Sequence, residues 1–95
     1  MSMKETYEKK LEAQLKEWGA EIDKLKAKAE KTEADVQLEY YKEIEELRAM
    51  QNQANEKLRA LKTASDDAWE DLKAGMDNAW DSLGEALKKA SARFQ

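Results

Sequence analysis

"DDAWEDLKAGMDNAWDSLGEALKK", residues 66–89, carries Ala-Trp at 68–69 and again at 79–80, and Leu72 and Leu83 keep the same interval of eleven. Eleven residues make three turns at about 3.67 residues per turn, close to the ~3.6 of a relaxed α-helix. The spacing predicts Trp69, Leu72, Met76, Trp80, Leu83 and Leu87 on one face of a nearly straight helix. Steps of three, four and four carry the track back through Leu61, Leu58, Ala54 and Met50 to Leu47, and on through Ser91 to Phe94. Beside it, Ala64, Gly75 and Ala86 repeat at the same interval. Small residues flanking large ones predict a broad buried face, better suited to three or more helices than to a two-stranded seam.

The N-terminal part keeps a different count. Leu11, Leu15, Trp18, Ile22, Leu25, Ala29, Thr32 and Val36 alternate steps of four and three, a heptad pattern that implies left-handed supercoiling. Its next slots would be Glu39, Glu43 and Glu46. The apolar track instead passes through Tyr40 and Ile44 to Leu47, which reads as a stutter that unwinds the supercoil. The chain is therefore expected to be all-α, a single coiled-coil domain over 1–95. A heptad segment at 3–36 and a stutter at 36–47 lead into eleven-residue repeats at 47–94, with a kink or break at 63–66 as an option. The expected oligomer core is Leu11, Leu15, Trp18, Ile22, Leu25, Val36, Tyr40, Ile44, Leu47, Met50, Leu58, Leu61, Trp69, Leu72, Met76, Trp80, Leu83, Leu87 and Phe94.

Helix starts pull against this continuity. Ser2 with Glu5 forms a capping box, and Thr32 with Asp35 has the same form inside the heptad. Ser65-Asp66-Asp67 is the strongest internal start, with Glu70 and Asp71 just behind it and Lys88, Lys89 and Arg93 at the far end, the polarity a helix dipole favours. The eleven-residue phase nevertheless crosses that point unbroken, from Leu61 through Ser65 to Trp69. One continuous helix is the first reading; a helical hairpin turning at 63–66, or at the polar "QNQAN" of 51–55, is the second. No proline or glycine supports either turn. An extended helix could not bury its own stripe, so the expectation is self-association into a dimer to tetramer.

Composition excludes more than it assigns. There is no histidine and no cysteine, which removes the commonest metal ligand, the usual general base near neutral pH and all thiolate chemistry. Glu39, Glu43, Glu45 and Glu46 cluster in sequence, but a helical di-iron site needs Glu-x-x-His pairs, so they read as a solvated face. Ser2, Ser65, Ser82 and Ser91 lack a nucleophile-elbow turn, and Gly19, Gly75 and Gly84 belong to no phosphate loop. No enzymatic activity, cofactor, metal or small-molecule substrate is expected. A net charge of −4 weighs against general binding to nucleic acid, and nearby acids offset the short basic patch of Lys24, Lys26, Lys28 and Lys31. The opening "MSMKETYEKK" has no apolar core of the signal-peptide kind, and no run approaches the ~18 apolar residues of a membrane span, so the expected compartment is the cytoplasm.

Two stretches, "LEAQLKEWGAEIDKLKAKAEK" and "ASDDAWEDLKAGMDNAWDSLGEALKKASARF", resemble a family of short bacterial coiled-coil proteins, often described as hypothetical or stress-response proteins. Leu15 to Ile22 and the doubled Ala-Trp carry the resemblance. It implies a cytoplasmic helical protein with a stress-associated role, and it transfers no catalytic or ligand residues. The expected function is thus a non-enzymatic, self-associating coiled-coil protein with a structural or stress-associated role. The alternatives are a peripheral lipid-binding amphipathic helix, for which the acid-rich residues 66–95 lack the usual basic polar face, and an adaptor for another protein.

Overall fold

The computed structural model describes residues 2–93, and within them the chain is all-helical. Helix α1 spans Met3–Glu30, α2 Ala34–Thr63 and α3 Trp69–Arg93. They run up, down and up in one bundle with extents of 51 × 19 × 18 Å. The antiparallel course of α1 and α2 shows in Lys4 reaching Lys62 and Ala64 at one end and Gln37 reaching Ala29 at the other. The parallel course of α1 and α3 shows in Tyr7 bonding to Asp77 and Trp80 to Leu11.

The expected continuous helix is overturned: the chain turns at 31–33 and again at 64–68. Neither turn uses glycine or proline, and side chains terminate the helices instead. At the first, Thr32 Oγ1 donates to the Lys28 carbonyl at 3.0 Å and Gln37 Nε2 to the Ala29 carbonyl at 3.1 Å, satisfying groups that a helix end leaves open. Glu33 takes extended ψ of 146° and α2 begins behind it. At the second, Ala64 is extended, and the Lys4 ammonium accepts the role of C-cap, donating to the Ala64 carbonyl at 2.7 Å and the Lys62 carbonyl at 3.3 Å. A cation at a helix C-terminus is favoured by the dipole as well. Ser65 then opens α3, its Oγ accepting from the Ala68 N–H at 3.2 Å. Ser2 caps α1 in the same way, accepting from the Glu5 N–H at 3.2 Å. The "QNQAN" of 51–55 lies inside α2, with Ala54 buried, so no turn occurs there.

The bundle core is built by the chain itself. From α1 it takes Leu11, Leu15, Ile22, Leu25 and Ala29; from α2 Ile44, Leu47, Ala54, Leu58 and Leu61; from α3 Trp69, Met76, Trp80, Leu83, Leu87 and Ala90. Trp18, Tyr40 and Met50 are half-buried against it. Within each helix these positions follow steps of four and three or their sum, the seam period of helices that wrap around each other. The phase restarts at each turn. In α3 the buried face and the eleven-residue track share Trp69, Met76, Trp80, Leu83 and Leu87, and part at Leu72 and at Ser91, where Ala90 is buried instead.

Two expected core residues are therefore corrected. Val36 is 36% exposed because the turn at 31–33 ends the α1 register before reaching it. Leu72 is 39% exposed because it lies off the four-three face of α3, whose slot at that level is taken by Lys73. Phe94 lies outside the described residues. No described side chain that is buried is polar or charged, and of the two tryptophans in the core Trp80 donates its indole N–H to the Leu11 carbonyl at 3.3 Å. That bond satisfies a polar group that would be costly to leave open, and it ties the two helices most distant in sequence.

Candidate functional surface

With its apolar stripe closed inward, the molecule has only its surface left for function. Ion pairs of Arg48 with Asp23, Lys62 with Glu12 and Arg93 with Glu43 staple neighbouring helices from outside. Such exposed pairs contribute about 0–1 kcal/mol each. Glu43 is thereby accounted for, and Glu39, Glu45 and Glu46 face solvent, as do Lys24, Lys26, Lys28 and Lys31. Among the described residues no group of three or more acidic side chains could hold a metal ion. Among them, too, no helix is long and apolar enough to cross a membrane.

Several depressions mark the surface, and three of them differ in character. The roomiest, about 400 Å³, lies between α1 and α2 and is edged by Glu12, Lys16, Gln51, Asn52 and Asn55. It is a polar crevice of amides and of a carboxylate already paired with Lys62. The second lies between α1 and α3, edged by Met3, Tyr7, Lys10, Trp69 and Lys73. Here the Tyr7 and Trp69 rings meet at 5.8 Å between centroids, tilted by 42°, and the Lys73 ammonium sits 5.6 Å from the Tyr7 centroid. The Tyr7 hydroxyl donates to Asp77 Oδ1 at 2.5 Å. Burial, then the hydrogen bond to Asp77 and its negative charge, hold the phenol neutral well above the ordinary tyrosine range. A locked, neutral phenol bonded to a carboxylate is a tertiary contact; no acid–base work at neutral pH follows from it.

The third depression, about 170 Å³, lies between α2 and α3, lined by Lys57, Ala60, Leu72, Gly75 and Met76. Its floor, Met76, is buried, whereas Leu72 stands at its edge and Gly75 is open: a Cβ there would meet no atom within 4 Å. The other two glycines face neighbours, Gly84 the Trp18 ring and Gly19 the Gln51 amide. Of the other exposed large apolar residues, Met3 edges the depression beside Tyr7 and Trp69 at one end of the bundle, and Val36 and Leu38 lie near the other.

Of the residues expected to form an oligomer core, the structure gathers Leu11, Leu15, Ile22, Leu25, Ile44, Leu47, Leu58, Leu61, Trp69, Met76, Trp80, Leu83 and Leu87 into the core of one chain. It sends Leu72 outside, together with Gly75 from the expected small-residue row. The groove they form is hidden in the sequence because the eleven-residue spacing places both on the inside. Comparisons with protein-family models, with curated proteins and with solved structures found no match.

Proposed function

We propose that this chain is a non-enzymatic helical protein that works by associating with a second copy of itself, in a structural or stress-associated role in the cytoplasm. The observation that carries the reading is the α2/α3 face, where Leu72 stands exposed beside a groove lined by Ala60, Gly75 and Met76. The core does not call for partners, since three helices of one chain already close it. Association would therefore join folded bundles rather than assemble them. The stress-associated part rests on the family resemblance alone.

Light scattering across a concentration series tests the reading. A mass that rises from one to two copies between low micromolar and about 0.5 mM protein, with helicity unchanged, is the expected result. A single-copy mass throughout refutes it.

One observation favours a lipid surface as the second reading: Met3, Tyr7 and Trp69 with Lys10 and Lys73 place apolar and basic groups side by side. The stripe on α3 that would enter a lipid interface is turned into the core, however. Vesicles of mixed neutral and anionic lipid should leave the circular dichroism and tryptophan emission unchanged; a blue shift with protein bound to the vesicles would support the second reading instead.

A further inference from the structure

We infer that the α2/α3 groove is the dimer surface, with Leu72 of each copy seated in the groove of the other. The inference rests on the self-association reading and names its surface. Its starting point is Gly75. A glycine inside a helix is less stable than alanine, because it has more backbone freedom to lose. At Gly84 the Trp18 ring occupies the space a methyl group would need, which gives that glycine a reason within the chain. At Gly75 no atom lies within 4 Å of the position, so the chain's own packing supplies no reason. A second helix approaching closely does.

Leu72 sits one turn before Gly75 on the same flank of α3, and α2 brings Ala60 and Lys57 to the opposite bank. The groove, about 170 Å³, has the capacity for one branched aliphatic side chain. One surface thus bears both a projecting leucine and a recess that fits it. That is the condition for a two-fold contact, in which the same patch serves both partners.

Charge agrees with this geometry. Lys57 on α2 and Asp71 on α3 flank the groove at one end, and Glu46 on α2 and Lys89 on α3 line the same face at the other. Asp71 is placed on this flank by its spacing of four from Gly75. All four are outside the ion pairs that staple the bundle. A two-fold axis along the bundle sets α2 of one copy against α3 of the other at the same height. Glu46 then meets Lys89 of the second copy, since the two lie level across the α2/α3 pair. A face with sides of 51 and 19 Å is also large enough for the roughly 800 Å² per partner that a stable dimer buries.

Sedimentation equilibrium on the full chain tests the surface, with circular dichroism confirming that each variant is folded. Leu72→Glu should weaken dimerisation by about tenfold or more, because a carboxylate would be buried without a partner. Gly75→Ala should raise the melting temperature of the dilute single copy and weaken the dimer, two effects of opposite sign that a merely structural glycine would not produce. Glu46→Lys should weaken the dimer and Glu46→Lys with Lys89→Glu should restore it. If the wild type dimerises and Leu72→Glu and Gly75→Ala leave its affinity unchanged, the surface is wrong and self-association stands. If the wild type remains a single copy at about 0.5 mM, both fail together. Binding of single copies to lipid vesicles, abolished by Leu72→Glu, would assign the groove to a membrane and overturn the dimer.

Discussion

Three helix-interior glycines offer a matched experiment, since none has a positive φ and each could take a side chain on backbone grounds. Exchange to alanine brings a common gain of about 0.5–1 kcal/mol in a helix interior. What differs is the space. At Gly75 the new methyl group meets nothing within 4 Å, so the gain should appear in full and raise the melting temperature by about 2–8 °C. At Gly19 it would stand 2.8 Å from Gln51 Nε2, the far end of a flexible side chain whose Oε1 accepts from Arg48 Nη1 at 3.0 Å. Gln51 can swing aside at the loss of that surface contact, leaving a gain of about 0.5 kcal/mol. At Gly84 it would stand 3.2 Å from Trp18 Cζ2 and 3.6 Å from Cη2. The ring is rigid and packed against the core, so it must retreat by tenths of an ångström. Overpacking of this kind costs about 1–3 kcal/mol and should cancel or exceed the helical gain. Urea unfolding of the three variants at low micromolar concentration measures the order, with Gly75→Ala above Gly19→Ala and Gly84→Ala at or below wild type. Equal stabilisation by Gly75→Ala and Gly84→Ala would refute the Trp18 contact, and with it the packing of α1 on α3.

Trp80→Ala and Trp69→Ala should each destabilise the single chain by about 3–5 kcal/mol in urea unfolding, while Glu70→Ala, exposed on α3, should stay within about 0.5 kcal/mol. Lys4→Met should cost about 1–2 kcal/mol by leaving the Ala64 and Lys62 carbonyls without their cation, and should speed amide exchange at the end of α2 first. For Tyr7 the folded protein raises the pKa above the unfolded value of about 10, so the stabilisation is complete below that pH and is lost as pH climbs towards the folded value. Tyr7→Phe should remove this alkaline loss; an unchanged decline in stability above pH ~10 would place its origin elsewhere.

The all-helical class was legible because apolar residues recur at helical spacing with no proline anywhere in the chain. Helix number was not, and the reason is arithmetical. Trp69 and Trp80 are eleven apart, but eleven is also seven plus four, so both tryptophans fit a heptad seam as well as an eleven-residue stripe. The residues that distinguish the two are few: Leu72 against Lys73, and Ser91 against Ala90. A four-three count back from Ala90 through Leu87, Leu83, Trp80 and Met76 to Trp69 passes over Leu72, and that count was the signal for the groove. The caps at Ser65 and near Thr32 did mark both turns, yet phase continuity outweighed them. The groups that close those turns, Gln37 on Ala29 and Lys4 on Ala64, come from other helices. A reading of local sequence cannot see partners eight or sixty residues away.

The bond from Trp80 to the Leu11 carbonyl bridges sixty-nine residues, while the three-residue turn at 31–33 leaves α1 and α2 beside one another almost from the outset. The α1/α3 seam is also the thinnest of the three. Time order follows from that asymmetry. Loop closure is entropically easier over short spans, so the α1–α2 pair should zip first and α3 should swing onto it afterwards. Trp80 then becomes a clock for the last step. In a variant with Trp18 and Trp69 replaced by phenylalanine, its emission after a denaturant jump should change later than the helical signal if the helices close in that sequence, and together with it if the bundle closes all at once.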